Sequence, residues 1–267
     1  MGERAMPRYW LGTKRRGNPS RPNPCGDEIM ETARSRPRGG HLRHNGADHQ
    51  GVRSLDKDRA ADLTKLCAWA KTAARYPKTA TDMEAIIAGS DPLAHWLASS
   101  QPLLEELFRC WREAPQTTLE AHQVEYTRLF VARWGGVPAP LHASYYLNRE
   151  TFRGDAADAA VAFYGRQGVR WSETELQEPP DHLAVELEFL EILCQSVSPA
   201  PGRGDVAEQW QDFWRSHFGL WTLPCAAAME QHAKLPLYKV LALSLIQLWE
   251  QEMGHEGTRQ GSLCHGL

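Results

Sequence analysis

From residue 55 onward apolar side chains return every third or fourth position, the period of a helix with one buried face. Leu63, Leu66, Cys67 and Ala70 mark that face in a first helix, which the Tyr76-Pro77 pair brings to an end. Thr81 with Glu84, Thr117 with Glu120 and Ser172 with Glu175 each set a hydroxyl three residues before a carboxylate, the pattern of a capping box. Asp91-Pro92 reads as an N-cap followed by proline at the first helical position. The predicted helices lie over 56–76, 82–89, 92–113, 118–132, 150–167, 181–197, 205–219, 222–233 and 236–253. Strand-like alternation is absent from the pattern, so the expected fold class is all-α, a multi-helix bundle.

Two stripes within these helices read as core. Tyr126, Leu129 and Phe130 share one helical face, and Trp210, Phe213, Trp214, Phe218, Trp221, Leu237, Tyr238 and Leu241 recur at mainly helical spacing. Two irregular stretches interrupt the pattern, 133–148 with its glycine and proline clusters and 168–180 ending in Glu178-Pro179-Pro180; loops of this length in a compact domain are usually functional or hinge-like. The longest apolar run, 240–249, falls well short of a bilayer and predicts a buried helix rather than a membrane span.

Composition changes the picture mainly at the ends. Residues 1–53 are rich in Arg, Gly, Pro, His and Asn without apolar periodicity, which predicts a disordered basic arm; 54–255 form the helical domain, and 256–267 a flexible tail. Eleven basic against five acidic residues give the arm a surplus of six positive charges, whereas the rest of the chain carries nine net negative charges. A basic arm without interleaved aromatics, ahead of an acidic body, does not make a nucleic-acid reader, so no nucleic-acid partner is expected. Arg15-Arg16 is followed by Gly17-Asn18-Pro19 where an apolar run should begin, so the arm is not read as an export leader; Met30 or another downstream codon is an alternative start.

The six cysteines are widely spaced with no C-x-x-C pair, and Cys67, Cys110, Cys194 and Cys225 fall in apolar or helical stretches. They are expected to be inert thiols in a reducing compartment, with no metal site. His41, His44, His49, Cys264 and His265 sit in the irregular ends and offer no fixed ligand geometry. The chain holds no G-x-x-x-x-G-K-[ST] sequence, so no nucleotide or other cofactor is expected.

Two segments carry the chain's individuality. The first runs Glu125-Tyr126-Thr127-Arg128-Leu129-Phe130, then Gly135-Gly136-Val137-Pro138-Ala139-Pro140, then Ser144-Tyr145-Tyr146. The second is Pro179-Pro180-Asp181-His182-Leu183-Ala184-Val185-Glu186-Leu187-Glu188-Phe189-Leu190, where Asp181 can cap a helix whose Leu183, Leu187 and Leu190 share a face. Asp181 and His182 are adjacent and do not face each other on a helix, and no nucleophile motif accompanies them, so a catalytic pair is not read here and the chain is not expected to be an enzyme.

Together the segments resemble the TorD/DmsD family of redox-enzyme maturation chaperones, with a Y-x-x-L-F helix, a G…P…P-x-x-x-S-x-Y loop and a P-D-H-L-x-x-E-L-x-F hinge helix; the resemblance covers about 55–253. Trp134-Gly135-Gly136 departs from the glycine-proline pair of many members. The resemblance implies two helical lobes joined by a hinge at about 168–182, and a cytoplasmic protein, monomer or dimer. It also implies a chaperone that binds the twin-arginine leader, or the apo body, of a molybdopterin oxidoreductase of the dimethyl sulfoxide reductase type and holds it for cofactor insertion before export. Carried over onto this chain, the client-binding residues are Gly136, Pro138, Pro140, Ser144, Tyr146, Asp181, His182 and Glu186. Each has a plainer reading: Asp181 as an N-cap with His182 on the surface, the proline loop as a bend, and Glu186 as the partner of an internal arginine. The alternative for the whole chain is a helical scaffold with a different regulatory or enzymatic role.

Overall fold

The computed structural model describes residues 55–93, 95–132, 136–147, 154–172, 178–197 and 206–257. The predicted arm over 1–53, tail residues 258–267 and part of the expected hinge, 173–177, lie outside the described residues. The described chain is all-helical and contains no strand.

Helix α1, Lys57–Ala73, starts where the Asp56 side chain accepts the Arg59 N–H, and it buries the predicted face of Leu63, Leu66, Cys67 and Ala70. Helix α2, Ala80–Ser90, starts earlier than the pattern predicted. Its capping box is Thr79 with Asp82, not Thr81 with Glu84, so Thr81 already lies in the first turn. Asp91 does not open a long helix either: it continues out of α2 into a single 3₁₀ turn, Asp91–Leu93, and α3 begins only at Gln101–Glu113, with Pro102 in its first turn. Helix α4, Pro115–Tyr126, uses Pro115 at its start, which puts Thr117 inside the helix rather than at its cap. Glu175, the acid of the third expected box, lies outside the described residues.

Helix α4 then widens into a π turn, Thr127–Val131, closed by the Ala132 N–H donating to the Thr127 carbonyl, five residues back. Tyr126, Leu129 and Phe130 are buried, as their spacing predicts. The short α5, Ala143–Leu147, was not foreseen; it stands inside the stretch read as irregular. Helix α6 covers Asp155–Arg166, α7 Leu183–Gln195, α8 Val206–Phe213, α9 Gly219–His232 and α10 Pro236–Gly257. A second π turn, Trp214–Phe218, joins α8 to α9. Gly219 ends it by necessity, because a Cβ there would stand 2.6 Å from the Trp214 carbonyl oxygen.

Helix α7 is the central element: Leu183, Ala184, Val185, Glu186, Leu187, Glu188, Phe189 and Leu190 are all buried. Its most extensive helix contact is with α1. Lys71 pairs with Glu191 at 2.6 Å and Arg75 with Glu188 at 3.1 Å, so the two helices run antiparallel. Helices α9 and α10 form the other main pair. Arg128 grips the Glu125 carboxylate through two nitrogens at 2.6 and 2.7 Å and donates to the His232 carbonyl at the end of α9. Tyr238 from α10 donates to the His122 carbonyl and meets the rings of Tyr126 and Phe130. Arg59, partly buried, pairs with the buried Glu252, whose second carboxylate oxygen accepts from Trp210. One apolar core, running in sequence from Leu55 to Leu248, results, and all eight residues of the stripe from Trp210 to Leu241 lie in it.

The cap assignment is directly testable. Thr79→Ala should lower the stability of the fold by about 1 kcal/mol, whereas Thr81→Ala and Thr117→Ala should stay within about 0.5 kcal/mol of the parent. Urea unfolding followed by circular dichroism reads all three.

Candidate functional site

The two signature segments are joined by hydrogen bonds around His142 and His182, forty residues apart in sequence. The Leu183 N–H donates to the Leu141 carbonyl at 2.8 Å and the Ala143 N–H to the Asp181 carbonyl at 3.0 Å, which makes an isolated antiparallel bridge between His142 and His182. Asp181 then adds its side chain: Oδ2 accepts the Ser144 N–H at 3.0 Å. This corrects the capping assignment. Asp181 supplies an acceptor to the first turn of α5 across the bridge, and the N-cap of α7 is His182, whose Nδ1 accepts the Ala184 N–H at 3.2 Å. His182 is buried, not on the surface.

The preceding loop is drawn in by the same arrangement. Gly136 is exposed with φ +106°, a conformation that favours glycine, and the Ala139 N–H returns to the Leu129 carbonyl at the end of the π turn. Pro138 is half-buried; Pro140 is buried, and its carbonyl accepts from the Cys225 thiol at 3.6 Å. Tyr164 donates to the Pro180 carbonyl at 2.6 Å and so fixes the turn ahead of α7. Of the expected residues, then, Pro140, Ser144, Asp181, His182 and Glu186 are inside, while Gly136, Pro138 and Tyr146 reach the surface wholly or in part.

Glu186 takes internal partners, though not an arginine. It is fully buried; Oε1 lies 2.7 Å from His217 Nε2, and Oε2 accepts from Trp221 Nε1 at 2.9 Å. The π turn brings His217 round to this carboxylate, and Trp221 in α9 stacks on Tyr146 at 5.9 Å. Sequence reading placed Trp221 in the core stripe, read Cys225 as an inert thiol, and passed over His217 and His142. The available signal was His217 itself, an ionisable residue inside an otherwise aromatic stripe. Tyr145 and Leu147, also missed, leave α5 exposed on the outer side.

The hydroxyl of Ser144 is buried without a hydrogen-bond partner among the described residues. That of Tyr146 lies beside the Cys225 thiol without a well-aligned bond among the described residues, and burial pushes its ionisation upward. Burial likewise pushes the Cys225 thiol up to about 12. The His182 imidazole is held well below its ordinary 6.5 by burial, then by neighbouring His142 and Arg75, and His142 is lowered by burial against the pull of Asp181. Both rings are therefore neutral at pH 7, and because Nδ1 of His182 accepts, its proton sits on Nε2. Burial raises Glu186 against the lowering effect of His217 and Trp221; burial pulls His217 down, but Glu186 together with Asp181 more than offsets it, leaving the imidazole above its ordinary value. Among the described residues no group of three or more His, Cys, Asp or Glu stands ready to hold a metal, and no helix is long and apolar enough to cross a membrane.

Because His182 stays neutral when folded and takes up a proton at about pH 6.5 once unfolded, its contribution is complete above 6.5 and declines as pH falls below it. His217, raised when folded, has the opposite sign: its contribution is complete below 6.5 and is lost as pH rises through its folded value. His182→Asn keeps an N-cap acceptor and removes the acid-sensitive ring. Between pH 7.5 and 5.5 the parent should therefore lose about 1 kcal/mol more than His182→Asn, as read by urea melts at each pH.

Comparison with known proteins bears on this geometry. A family model described as nitrate reductase delta subunit matches residues 91–227, half of the chain, and takes in both joined segments. The chaperone protein TorD of Vibrio cholerae serotype O1 is 31% identical over 112 residues, 40% of this chain and 50% of that protein, so the chain spans about half the length of the curated relative it matches. A solved structure from Archaeoglobus fulgidus, assigned to redox enzyme maturation, aligns with 24% identity over 70% of this chain and 93% of that one, with a TM-score of 0.49. On the family-model match, which spans the bridge from the Gly136 loop to α9, the chain belongs to the nitrate reductase delta subunit family, the TorD/DmsD-type group that its two signature segments resemble.

Proposed function

We propose that this chain is a redox-enzyme maturation chaperone that binds the twin-arginine leader, or the apo body, of a molybdopterin oxidoreductase in the cytoplasm and holds it until its cofactor is in place. The observation that carries the reading is the bridge between 141–144 and 181–183, which unites the family's two signature segments at one place on the bundle. Family membership and the name of the curated relative support it. Neither nucleotide, metal nor a catalytic constellation enters the mechanism, which is one of binding.

In this reading the eight site residues divide by burial. Gly136, Pro138 and Tyr146, with Tyr145 and Leu147 beside them, meet the client, offering an apolar and aromatic edge to the leader's hydrophobic stretch. Pro140, Ser144, Asp181, His182 and Glu186 hold that edge in place from inside. The nine net negative charges of the body favour approach of a leader bearing two arginines. A client of the dimethyl sulfoxide reductase type follows from the resemblance to the TorD/DmsD family; the family description favours a nitrate reductase as a second client reading.

Titration of the full chain with a synthetic peptide of an arginine pair followed by about 12 apolar residues tests the reading. Calorimetry should show binding with Kd in the range of about tens of micromolar or tighter, weakened about tenfold when both arginines become glutamine. Equal affinity for both peptides removes the electrostatic part, and absence of binding by either, with capture of neither apo oxidoreductase, contradicts the proposal.

The bridge generates a second expectation. Asp181→Asn keeps an acceptor for the Ser144 N–H and should bind the peptide within about threefold of the parent, whereas Asp181→Ala should lose about 1–3 kcal/mol of stability and about tenfold in affinity. Poor binding by a stably folded Asp181→Asn would instead assign the carboxylate's charge to direct contact with the client.

A further inference from the structure

The Tyr146 hydroxyl lies beside the Cys225 thiol but makes no well-aligned hydrogen bond among the described residues, so the rings packed against it carry most of its placement. Its neighbours are Tyr145, edge-on at 5.3 Å, and Trp221, stacked at 5.9 Å with 26° between planes. Tyr145 is exposed and gives no fixed support. Trp221 is the opposite: it is fully buried, and its N–H is tied at 2.9 Å to Glu186, itself held 2.7 Å from His217. A buried carboxylate needs its donors, so the indole is fixed by chemistry as well as by shape.

We propose that Trp221, held by the Glu186 carboxylate, is the positioning residue of the client site, setting the ring of Tyr146 and through it the exposed Tyr145 and Leu147 edge of α5. The contacts form a short path: α7 supplies Glu186, α9 supplies the indole, and α5 carries the ring that the indole backs. A tryptophan that merely filled space would lose little on becoming phenylalanine, apart from volume. Here Trp221→Phe keeps a ring beside Tyr146 but strips one donor from Glu186. Glu186→Gln does the reverse: the amide still accepts from the indole and donates to a neutral His217, so it keeps the path without the charge. What the edge binds rests on the chaperone reading above; the placement of Tyr146 does not, and it can be read without a ligand.

The test is nitration of the full chain by tetranitromethane, mapped by peptide mass spectrometry at Tyr145, Tyr146 and Tyr238, beside titration with the arginine-pair peptide. In the parent, Tyr145 reacts and Tyr146 is largely spared. Trp221→Phe should speed nitration of Tyr146 about tenfold, the size expected for a lost hydrogen bond to a buried charge, while the core Tyr238 stays spared. Glu186→Gln should leave Tyr146 at the parent rate. Parent-like nitration of Tyr146 in Trp221→Phe overturns the proposal, and so does a joint rise at Tyr146 and Tyr238, which would make Trp221 a general core residue. The peptide separates the two levels. If the parent does not bind it, the chaperone reading fails while nitration still decides the placement of Tyr146. If the parent binds, Trp221→Phe should weaken binding about tenfold. Unchanged peptide binding with a loosened Tyr146 overturns the link between this ring and the site.

Discussion

Two backbone hydrogen bonds, Leu183 to Leu141 and Ala143 to Asp181, with the Asp181 carboxylate on the Ser144 amide, fasten the loop after α4 to the start of α7. Everything at the candidate site depends on this fastening. Helix α5 has only five residues, too few to hold itself together, and its first amides need acceptors from elsewhere. Asp181 and the bridge supply them. Without that support the Gly136 loop and the tyrosine pair would have no fixed relation to α7.

The fastening works because α7 is itself immobile. It lies against α1 along an antiparallel, salt-bridged contact and presents buried side chains on every side of its first two turns. Acidic residues at Glu186 and Glu188 are tolerated there because each has donors waiting: His217 and Trp221 for the first, Arg75 and Lys71 for the second. The two π turns have parallel roles. One ends α4 so that Leu129 can receive the loop through Ala139, and the other swings His217 toward Glu186. Both widen a helix next to the site, a placement in which such turns are often found.

Much of the fold was legible in the sequence because helical periodicity is a local property. The first helix face, the core stripe of Tyr126, Leu129 and Phe130, and the later aromatic stripe all stand where spacing put them. Boundaries were less legible: Thr79 rather than Thr81 caps α2, because a threonine two residues away offers the same hydroxyl and only the chain's path selects between them. Asp91 misled for a related reason, since an Asp-Pro pair opens a 3₁₀ turn as readily as a helix. At the site, the sequence named both segments but not their union, because a bridge between residues 142 and 182 leaves no periodic trace. Asp181 could be recognised as a capping residue; which helix it serves was a tertiary question. The same holds for Glu186, whose partners His217 and Trp221 come from the second π turn and the start of α9, more than thirty residues on.

The account's central claim is that the bridge is a persistent part of the folded protein and seats the site. Amide hydrogen exchange at Ala143, Ser144 and Leu183, resolved by NMR on the full chain, tests this most directly. The three amides should be protected together, at least about a hundredfold over their unfolded rates, and Asp181→Ala should release Ser144 first. Exchange of all three at unfolded rates, while the amides of α1 and α10 remain protected, would contradict the account.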